Sequence, residues 1–233
     1  MWCKIDPAIS SASNELILDR IGAVISRTDP SKHVFANKSF FSHEPPENNN
    51  LDLLKLLHEE IWGKITHVVN FKDPVIDHAS LLIKPPGSPE TKLHQDRPYW
   101  IKREGVPSIF SVWIALKDMT EENGGLLVSA DNEVGLEGIV DFNSGKALPH
   151  TQIDDPVGGF PLIIEKDVAS QLVPNMKFIP LKKGQAIAFD SFEPHKSGSN
   201  FSKHSRLAMK IAYADGANCS HYLIANKALE NIV

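Results

Sequence analysis

The sequence has only two cysteines, no long apolar run and no cluster of basic residues, and each absence excludes a class of protein. Two cysteines, Cys3 and Cys219, in 233 residues exclude a disulfide-rich scaffold, and we expect free thiols in a reducing compartment. No stretch approaches the roughly 18 apolar residues that a membrane-spanning helix needs, and no signal-peptide run follows Met1. With a net charge of −5, we expect no nucleic-acid partner and a cytoplasmic location. The oligomeric state is left open.

The length and composition are those of an ordinary globular protein. Hydrophobic residues make up 42% of the chain and charged residues 23%, and a chain of this length can bury a full core. We therefore predict one domain over residues 1–233, with a helical N-terminal extension over 1–65 and a β core over 66–216.

Two segments of the N-terminal extension have helical patterns. Residues 13–25 can form a short helix capped by Ser13 or Asn14. Residues 51–62 have the clearest helical periodicity, with Leu51, Leu54, Leu57 and Ile61 on one face. Such a stripe is typical of a helix that packs against a sheet rather than of a cofactor site.

From residue 66 onward the sequence changes to short β patterns separated by Pro and Gly. The predicted strands are 67–71, 79–84, 109–116, 125–129, 162–164, 178–181, 185–189 and 206–213. This spacing favours a β-sandwich or barrel over alternating βαβ units. Residues 130–160 are acidic, Gly-rich and irregular, which predicts a long loop or lid, and residues 219–232 can form a helix.

Two of the predicted strands have one apolar face and one mixed face. In 110–116 and in 206–213, the mixed face combines small residues with larger ones, among them Trp113, Arg206 and Lys210. Small residues beside one large side chain are typical of a barrel interior with a ligand cavity. A solvent-exposed face that carries Arg206 and Lys210 explains the pattern equally well.

His94 and Asp96 form the first candidate for a metal site. If residues 93–100 are extended, the two side chains point to the same face of the strand. They can then take two adjacent positions on a divalent metal, and a third ligand would complete a 2-His-1-carboxylate triad with open positions. The spacing alone is weak, because His58 and Glu60 share it. These two fall within the predicted helix, where residues two apart diverge, so we interpret them as solvated surface.

Five short blocks between residues 78 and 213 provide a more specific signal than this spacing. They are Leu-Ile-Lys-Pro-Pro at 82–86, Leu-His-Gln-Asp at 93–96 with Tyr99 and Trp100, Val-Trp-Ile-Ala-Leu at 112–116, Glu-Asn-Gly-Gly-Leu at 122–126, and His-Lys-Ser-Gly-Ser-Asn at 195–200 with Arg206. In this order the blocks resemble the phytanoyl-CoA dioxygenase family of Fe(II)- and 2-oxoglutarate-dependent oxygenases, whereas residues 1–65 match nothing in it. The resemblance implies a mainly β fold, a double-stranded β-helix (jelly roll, cupin-like), with flanking N-terminal α-helices.

The resemblance also implies a role for particular residues. It assigns the catalytic iron to His94, Asp96 and His195, and 2-oxoglutarate to Arg206, Ser197, Trp113 and, by a weaker match, Ser80. A guanidinium suits the distal carboxylate of 2-oxoglutarate because it binds both oxygens at once, which a lysine does not do. Candidates for the substrate pocket are Tyr99, Trp100, Lys84 and Arg97. Packing, a structural role at a strand end, or surface solubility remain alternative explanations for them.

The implied activity uses Fe(II), 2-oxoglutarate and O2 to hydroxylate a small molecule at an unactivated C–H bond, with release of succinate and CO2. The carboxylate of Asp96 favours hydroxylation over halogenation, because related halogenases have a small residue in its place. Desaturation or ring closure by the same chemistry is one alternative, and a non-catalytic metal- or ligand-binding jelly roll is another. Ser129-Ala130-Asp131 stands where the family has Gly-Ser-His, so the identity of the substrate does not transfer.

Overall fold

The computed structural model describes residues 1–26, 35–37, 50–66, 69, 71–99, 109–135, 146–154 and 160–218. Within them, the helices are α1 (Ser11–Ser26), α2 (Leu51–Ile65) and α3 (Lys166–Leu172). The strands are β1 (Trp2–Ile5), β2 (Phe35–Asn37), β3 (Pro74–Lys84), β4 (Thr91–His94), β5 (Ile109–Ala115), β6 (Leu126–Ser129), β7 (His150–Gln152), β8 (Leu162–Ile164), β9 (Met176–Phe178), β10 (Ala186–Asp190), β11 (His195–Ser197) and β12 (Arg206–Asp215).

Ten of these strands form two antiparallel sheets. The larger sheet has the order β1-β10-β5-β12-β3-β2, and the smaller has the order β4-β11-β6-β9. The strands β7 and β8 pair separately as a hairpin. Side chains from both sheets, such as Trp113 and Val128, pack in one hydrophobic cluster, so the sheets face each other. The predicted mainly β jelly roll with N-terminal helices is confirmed.

Both faces of the larger sheet are buried, and the side chains of β12 show what covers each face. Leu207 and Met209 point to one side, where they pack in the same cluster as Leu54 and Ile61 of α2. Ala208 points to the other side and packs with residues of the smaller sheet. Successive residues of a strand alternate between faces, so the mixed face faces the space between the sheets. The barrel-interior explanation of the mixed pattern is therefore correct.

The N-terminal segment contributes a strand to the larger sheet as well as helices. Strand β1 pairs along its whole length with β10, so the extension over 1–65, which was predicted as helical, also contains a strand that the sequence pattern did not indicate. The reason is that a four-residue strand has little pattern of its own and its partner lies about 180 residues away. Helix α1 also begins earlier than predicted, because the Ser10 hydroxyl accepts a 3.1 Å hydrogen bond from the Ser13 N–H.

Three predicted β-core segments differ in detail from the structure. Val69 is not in a strand, since its N–H donates to the Ile65 carbonyl and continues the turn of α2. The strand predicted at 178–181 is shifted to β9, and the predicted loop over 130–160 contains β7. Helix α3 was not predicted, and the predicted helix at 219–232 lies outside the described residues. No helix among the described residues is long and apolar enough to cross a membrane.

His58 is buried, and its interpretation as solvated surface is wrong. Its ring stacks on Trp62 with a centroid distance of 5.8 Å and lies 5.7 Å from the ring of Tyr213. Burial lowers the pKa of His58 to about 4, so the imidazole is neutral at physiological pH. Helical spacing could not reveal this, because the aromatic partner Tyr213 comes from β12.

Gly124 gives a test of the close packing between the β5–β6 connection and the segment after β11. Its φ is +76°, and a Cβ there would lie 2.5 Å from the Gly198 carbonyl oxygen. We expect Gly124→Ala to lower the free energy of unfolding by roughly 2 kcal/mol, since the left-handed backbone alone costs a non-glycine residue about 1–2 kcal/mol. Urea denaturation measures this change.

The matched control is Gly63→Ala in the interior of α2, where an added Cβ meets nothing within 4 Å. It should stabilise the protein by about 0.5–1 kcal/mol, because alanine loses less backbone entropy in a helix. Equal stabilities of Gly124→Ala and the wild type would contradict the packing described.

Candidate metal centre

Two neighbouring strands bring the predicted metal ligands together. His94 ends β4 and His195 begins β11, and the two are direct partners in the smaller sheet. Directly opposed residues of antiparallel strands are close enough for side-chain contact, and the two ring centroids are 4.3 Å apart. Asp96 follows His94 by two residues. One donor atom from each of the three residues lies within 4.8 Å of the others, and all three side chains are buried.

Backbone carbonyls orient both imidazoles. The Nδ1 atom of His94 lies 2.9 Å from the Lys92 carbonyl, and the Nδ1 atom of His195 lies 2.9 Å from the Glu193 carbonyl. A carbonyl can only accept a hydrogen bond, so each Nδ1 carries the proton and each Nε2 keeps its lone pair. Burial also lowers the pKa of both histidines, that of His94 to about 3. Both rings are therefore neutral and offer Nε2 as a ligand atom.

The carboxylate of Asp96 has two polar partners that the sequence patterns did not single out. Lys210 donates from Nζ to Asp96 Oδ2 over 2.8 Å, and the Ser111 hydroxyl donates to the same oxygen over 3.3 Å. Burial acts to raise the pKa of Asp96, but the charge of Lys210, with smaller effects of His195 and His94, outweighs it. The pKa is therefore lowered, and Asp96 is an anion. The mixed face of β12 was the available signal for Lys210.

A cavity lined by two of the three ligands, His94 and His195, opens partly to solvent. The space in and around it is about 420 Å³. Its lining comprises Leu82, Thr91, His94, Trp113, Leu126, Phe160, His195, Lys196, Ser197, Arg206 and Lys210. Five predicted residues, His94, His195, Trp113, Arg206 and Ser197, thus line one cavity. Ser80, the weaker match, is buried but is not among the described residues that line the cavity.

Arg206 is a buried cation that has no anionic partner among the residues that the structure describes. Its side chain lines the cavity, lies 5.2 Å from the Trp113 ring centroid and is 3% exposed. Among the described residues, Nε has no hydrogen-bond partner and no carboxylate forms an ion pair with the guanidinium. Burial lowers the pKa of Arg206 to about 10, so the group is still charged at neutral pH. A buried charge without a partner is costly, and an anionic ligand in the cavity would supply the missing partner.

Lys84 lies behind Ser197 rather than in the cavity. It is fully buried, and its Nζ donates to the Ser197 hydroxyl over 3.0 Å and also to the Gly198 carbonyl. The hydroxyl of Ser197 accepts this bond, so its own hydrogen is free to donate to a ligand in the cavity. Of the two explanations for Lys84, the structural one agrees with these contacts.

The candidate substrate residues beside the metal ligands do not line the cavity in the part of the chain that the structure describes. The Tyr99 hydroxyl accepts a 3.2 Å hydrogen bond from the Leu162 N–H, and the Arg97 guanidinium lies 4.9 Å from the Phe192 ring centroid. Trp100 lies outside the described residues. Phe160 does line the cavity, and its ring centroid lies 5.0 Å from that of His94. No sequence pattern indicated it.

Gln95, between the two ligands, connects the metal centre to the segment before β7. Its side-chain oxygen accepts from the Leu148 N–H over 2.8 Å, and its amide donates to the Lys146 carbonyl over 3.1 Å. Its backbone N–H donates to His150 Nε2 over 3.2 Å. These contacts hold the Gln95 side chain against this segment, so Gln95 can anchor the segment beside the metal ligands.

The donor set fits iron. Two neutral imidazole nitrogens and one carboxylate oxygen, grouped at one side of a cavity, are the ligands of non-haem Fe(II) oxygenases, which keep the remaining positions open. The fold and the site thus define the class of Fe(II)- and 2-oxoglutarate-dependent oxygenases. The family model for phytanoyl-CoA dioxygenase (PhyH) matches residues 3–208. The chain belongs to this family, and the match includes most of the N-terminal extension that the five blocks left unmatched.

Comparison with individual proteins supports the same family and fold. Phytanoyl-CoA dioxygenase domain-containing protein 1 of Danio rerio is 28% identical over 192 residues, which cover 75% of this chain and 60% of that protein. The chain thus spans less than two thirds of this relative. EvdO2 from Micromonospora carbonacea var. aurantiaca, solved with 2-oxoglutarate, has a TM-score of 0.65 at 16% identity, covering 95% of this chain and 89% of EvdO2. EctD from S. alaskensis, solved with 2-oxoglutarate and 5-hydroxyectoine, has a TM-score of 0.58 at 15% identity, covering 93% and 73%.

The buried ammonium of Lys84 predicts how stability changes with pH. Burial, with a smaller contribution from Arg206, lowers the pKa of Lys84 from 10.5 to about 7. Between these values the unfolded chain binds more protons than the folded one, so the free energy of unfolding rises with pH in this window. Lys84→Met removes the effect. We expect the stability of the wild type relative to Lys84→Met to increase by up to about 1.4 kcal/mol per pH unit from pH 7 to 9.5.

Denaturant unfolding at several pH values measures this difference, with Lys203→Met as the control because Lys203 is exposed. The stability difference between the wild type and Lys203→Met should stay nearly constant over the same pH range. A stability difference between the wild type and Lys84→Met that is constant over this range would contradict the lowered pKa.

Proposed function

We propose that this protein is a dioxygenase that uses Fe(II) and 2-oxoglutarate to hydroxylate a small molecule at an unactivated C–H bond, releasing succinate and CO2. The observation that carries the proposal is the buried guanidinium of Arg206 in the cavity that His94 and His195 line. It has no described carboxylate partner, and a dicarboxylic keto acid bound at the metal would provide one. A scaffold without turnover has no need for an unpaired buried cation beside a metal site.

Each residue of the cavity has a distinct task in this proposal. His94, Asp96 and His195 would hold the iron, which supplies the oxidising chemistry when 2-oxoglutarate and O2 are bound. Arg206 would bind the distal carboxylate of 2-oxoglutarate with two parallel hydrogen bonds. Ser197, whose oxygen accepts from Lys84, would donate its hydroxyl hydrogen to the same carboxylate. Trp113 would form the wall against which the co-substrate lies.

The carboxylate of Asp96 supports hydroxylation over halogenation, because a halide needs the position that the carboxylate occupies. Apolar side chains of Leu82, Leu126 and Phe160 line part of the cavity, which favours a substrate with an apolar portion near the iron. EctD, which shares the fold, was solved with the small molecule 5-hydroxyectoine, and this supports a small-molecule substrate here. Desaturation and ring closure use the same residues, and product mass distinguishes them from hydroxylation, which adds one oxygen atom.

Replacement of Arg206 tests the proposal. With metal-loaded protein under anaerobic conditions, calorimetry should show that Arg206→Met weakens 2-oxoglutarate binding at least about 30-fold, since loss of one partner of a buried charge pair costs roughly 2–5 kcal/mol. Arg206→Lys should recover only part of this loss, because an ammonium does not bind both carboxylate oxygens. Metal content should not change in either variant.

The matched control is Lys196→Met. Lys196 is another cation that lines the cavity, but its Nζ already donates to Glu90 over 2.6 Å. We expect this variant to change 2-oxoglutarate binding less than threefold. Unchanged binding of 2-oxoglutarate by folded, metal-loaded Arg206→Met would contradict the proposed function.

A further inference from the structure

The two oxygens of the Asp96 carboxylate have different surroundings. Oδ2 accepts hydrogen bonds from Lys210 and Ser111, whereas Oδ1 lies 3.9 Å from His195 Nε2. Lys210 and Ser111 belong to β12 and β5 of the larger sheet, while His195 begins β11 of the smaller sheet. One oxygen is therefore held by the larger sheet, and the other is free to face the imidazoles.

From this asymmetry we propose that Lys210 is a positioning residue that makes Asp96 a one-oxygen metal ligand. The inference rests on the proposed function. A carboxylate with both oxygens free can bind a metal through both and so take up two coordination positions. The ammonium of Lys210, 2.8 Å from Oδ2, competes with the metal for that oxygen. Asp96 then occupies a single position.

The number of positions matters because six-coordinate iron has none to spare. Two imidazoles and one carboxylate oxygen occupy three positions, and three remain, two for the keto acid and one for O2. A second carboxylate oxygen on the metal would remove one of these three. Lys210 therefore protects an open position without touching the metal itself.

The environment of Lys210 indicates that its ion pair with Asp96 positions the carboxylate rather than stabilises the fold. The side chains of Lys210 and Asp96 are 9% and 2% exposed, and a buried ion pair is often no more stabilising than apolar residues of the same volume. The neighbours of Lys210 across the larger sheet are Trp113 and Ser80, so an apolar side chain at position 210 would be compatible with the packing. The ammonium also lines the cavity, beside one oxygen of a metal ligand.

Mn(II) tests the inference without any catalytic turnover. It is paramagnetic and prefers oxygen and nitrogen ligands, and the relaxation rate of water protons reports how many water molecules exchange on it. In Lys210→Met, Oδ2 keeps only the longer hydrogen bond from Ser111, so it should join the metal and displace one of about three bound waters. We expect the proton relaxivity per bound Mn(II) to fall by about a third, with Mn(II) affinity equal to or higher than in the wild type.

Two further variants separate positioning from structure. Lys210→Arg keeps a positive donor against Oδ2 and should retain most of the wild-type relaxivity. Lys84→Met removes another buried ammonium from the neighbouring strand β3, but Lys84 contacts Ser197 and not Asp96, so it should leave the relaxivity unchanged. If Lys210→Met does not fold, Lys210→Gln replaces it, with the same direction of change expected.

An unchanged relaxivity in folded, Mn(II)-loaded Lys210→Met, or a loss of Mn(II) binding in this variant, would overturn the inference. A separate measurement on the same Mn(II) protein tests the proposed function. If 2-oxoglutarate added to the wild-type Mn(II) protein displaced no water, the keto-acid site would be wrong, whatever Lys210 does to Asp96.

Discussion

The antiparallel pairing of β4 with β11 is the constraint on which the metal centre depends. It sets His94 opposite His195, and Asp96 follows two residues after His94, just past the end of β4. The carbonyl of Lys92 in β4 and that of Glu193, two residues before His195, hold the Nδ1 protons. A shift of one residue in this register would turn one of the paired histidines to the opposite face of the sheet. The placement of the two histidines thus follows from a single pairing.

The larger sheet contributes two cations to the cavity. Arg206 and Lys210 are four residues apart on β12, on the face that looks into the space between the sheets. Lys210 is neutralised by Asp96, whereas Arg206 has no described anionic partner. The two cations of this strand therefore have different roles. One cation orients a metal ligand, and the other is available for the carboxylate of a ligand that enters the cavity.

Residue pattern and resemblance predicted the jelly roll, and they singled out His94, Asp96 and His195, which lie together, and Arg206, which lines the cavity. These features depend on short blocks whose spacing is constrained. Pattern and resemblance were insufficient for Lys210, since the alternation along β12 separates two faces without indicating which is exposed, and here both are buried. His58 was misjudged for a related reason, as its burial depends on a ring from a distant strand. Phe160 and the contacts of Gln95 depend on the segment around β7, where the sequence pattern predicted only an irregular loop.

The most direct measurement is an anaerobic titration of Fe(II) into the metal-free protein in the presence of 2-oxoglutarate, followed by visible absorption. The keto acid chelated to iron by this donor set produces a weak charge-transfer band. We expect the band in the wild type and its absence in Asp96→Ala, with succinate formed after air is admitted to the wild type. A folded, iron-loaded wild type that shows neither the band nor succinate would contradict the assignment of the cavity to iron and 2-oxoglutarate.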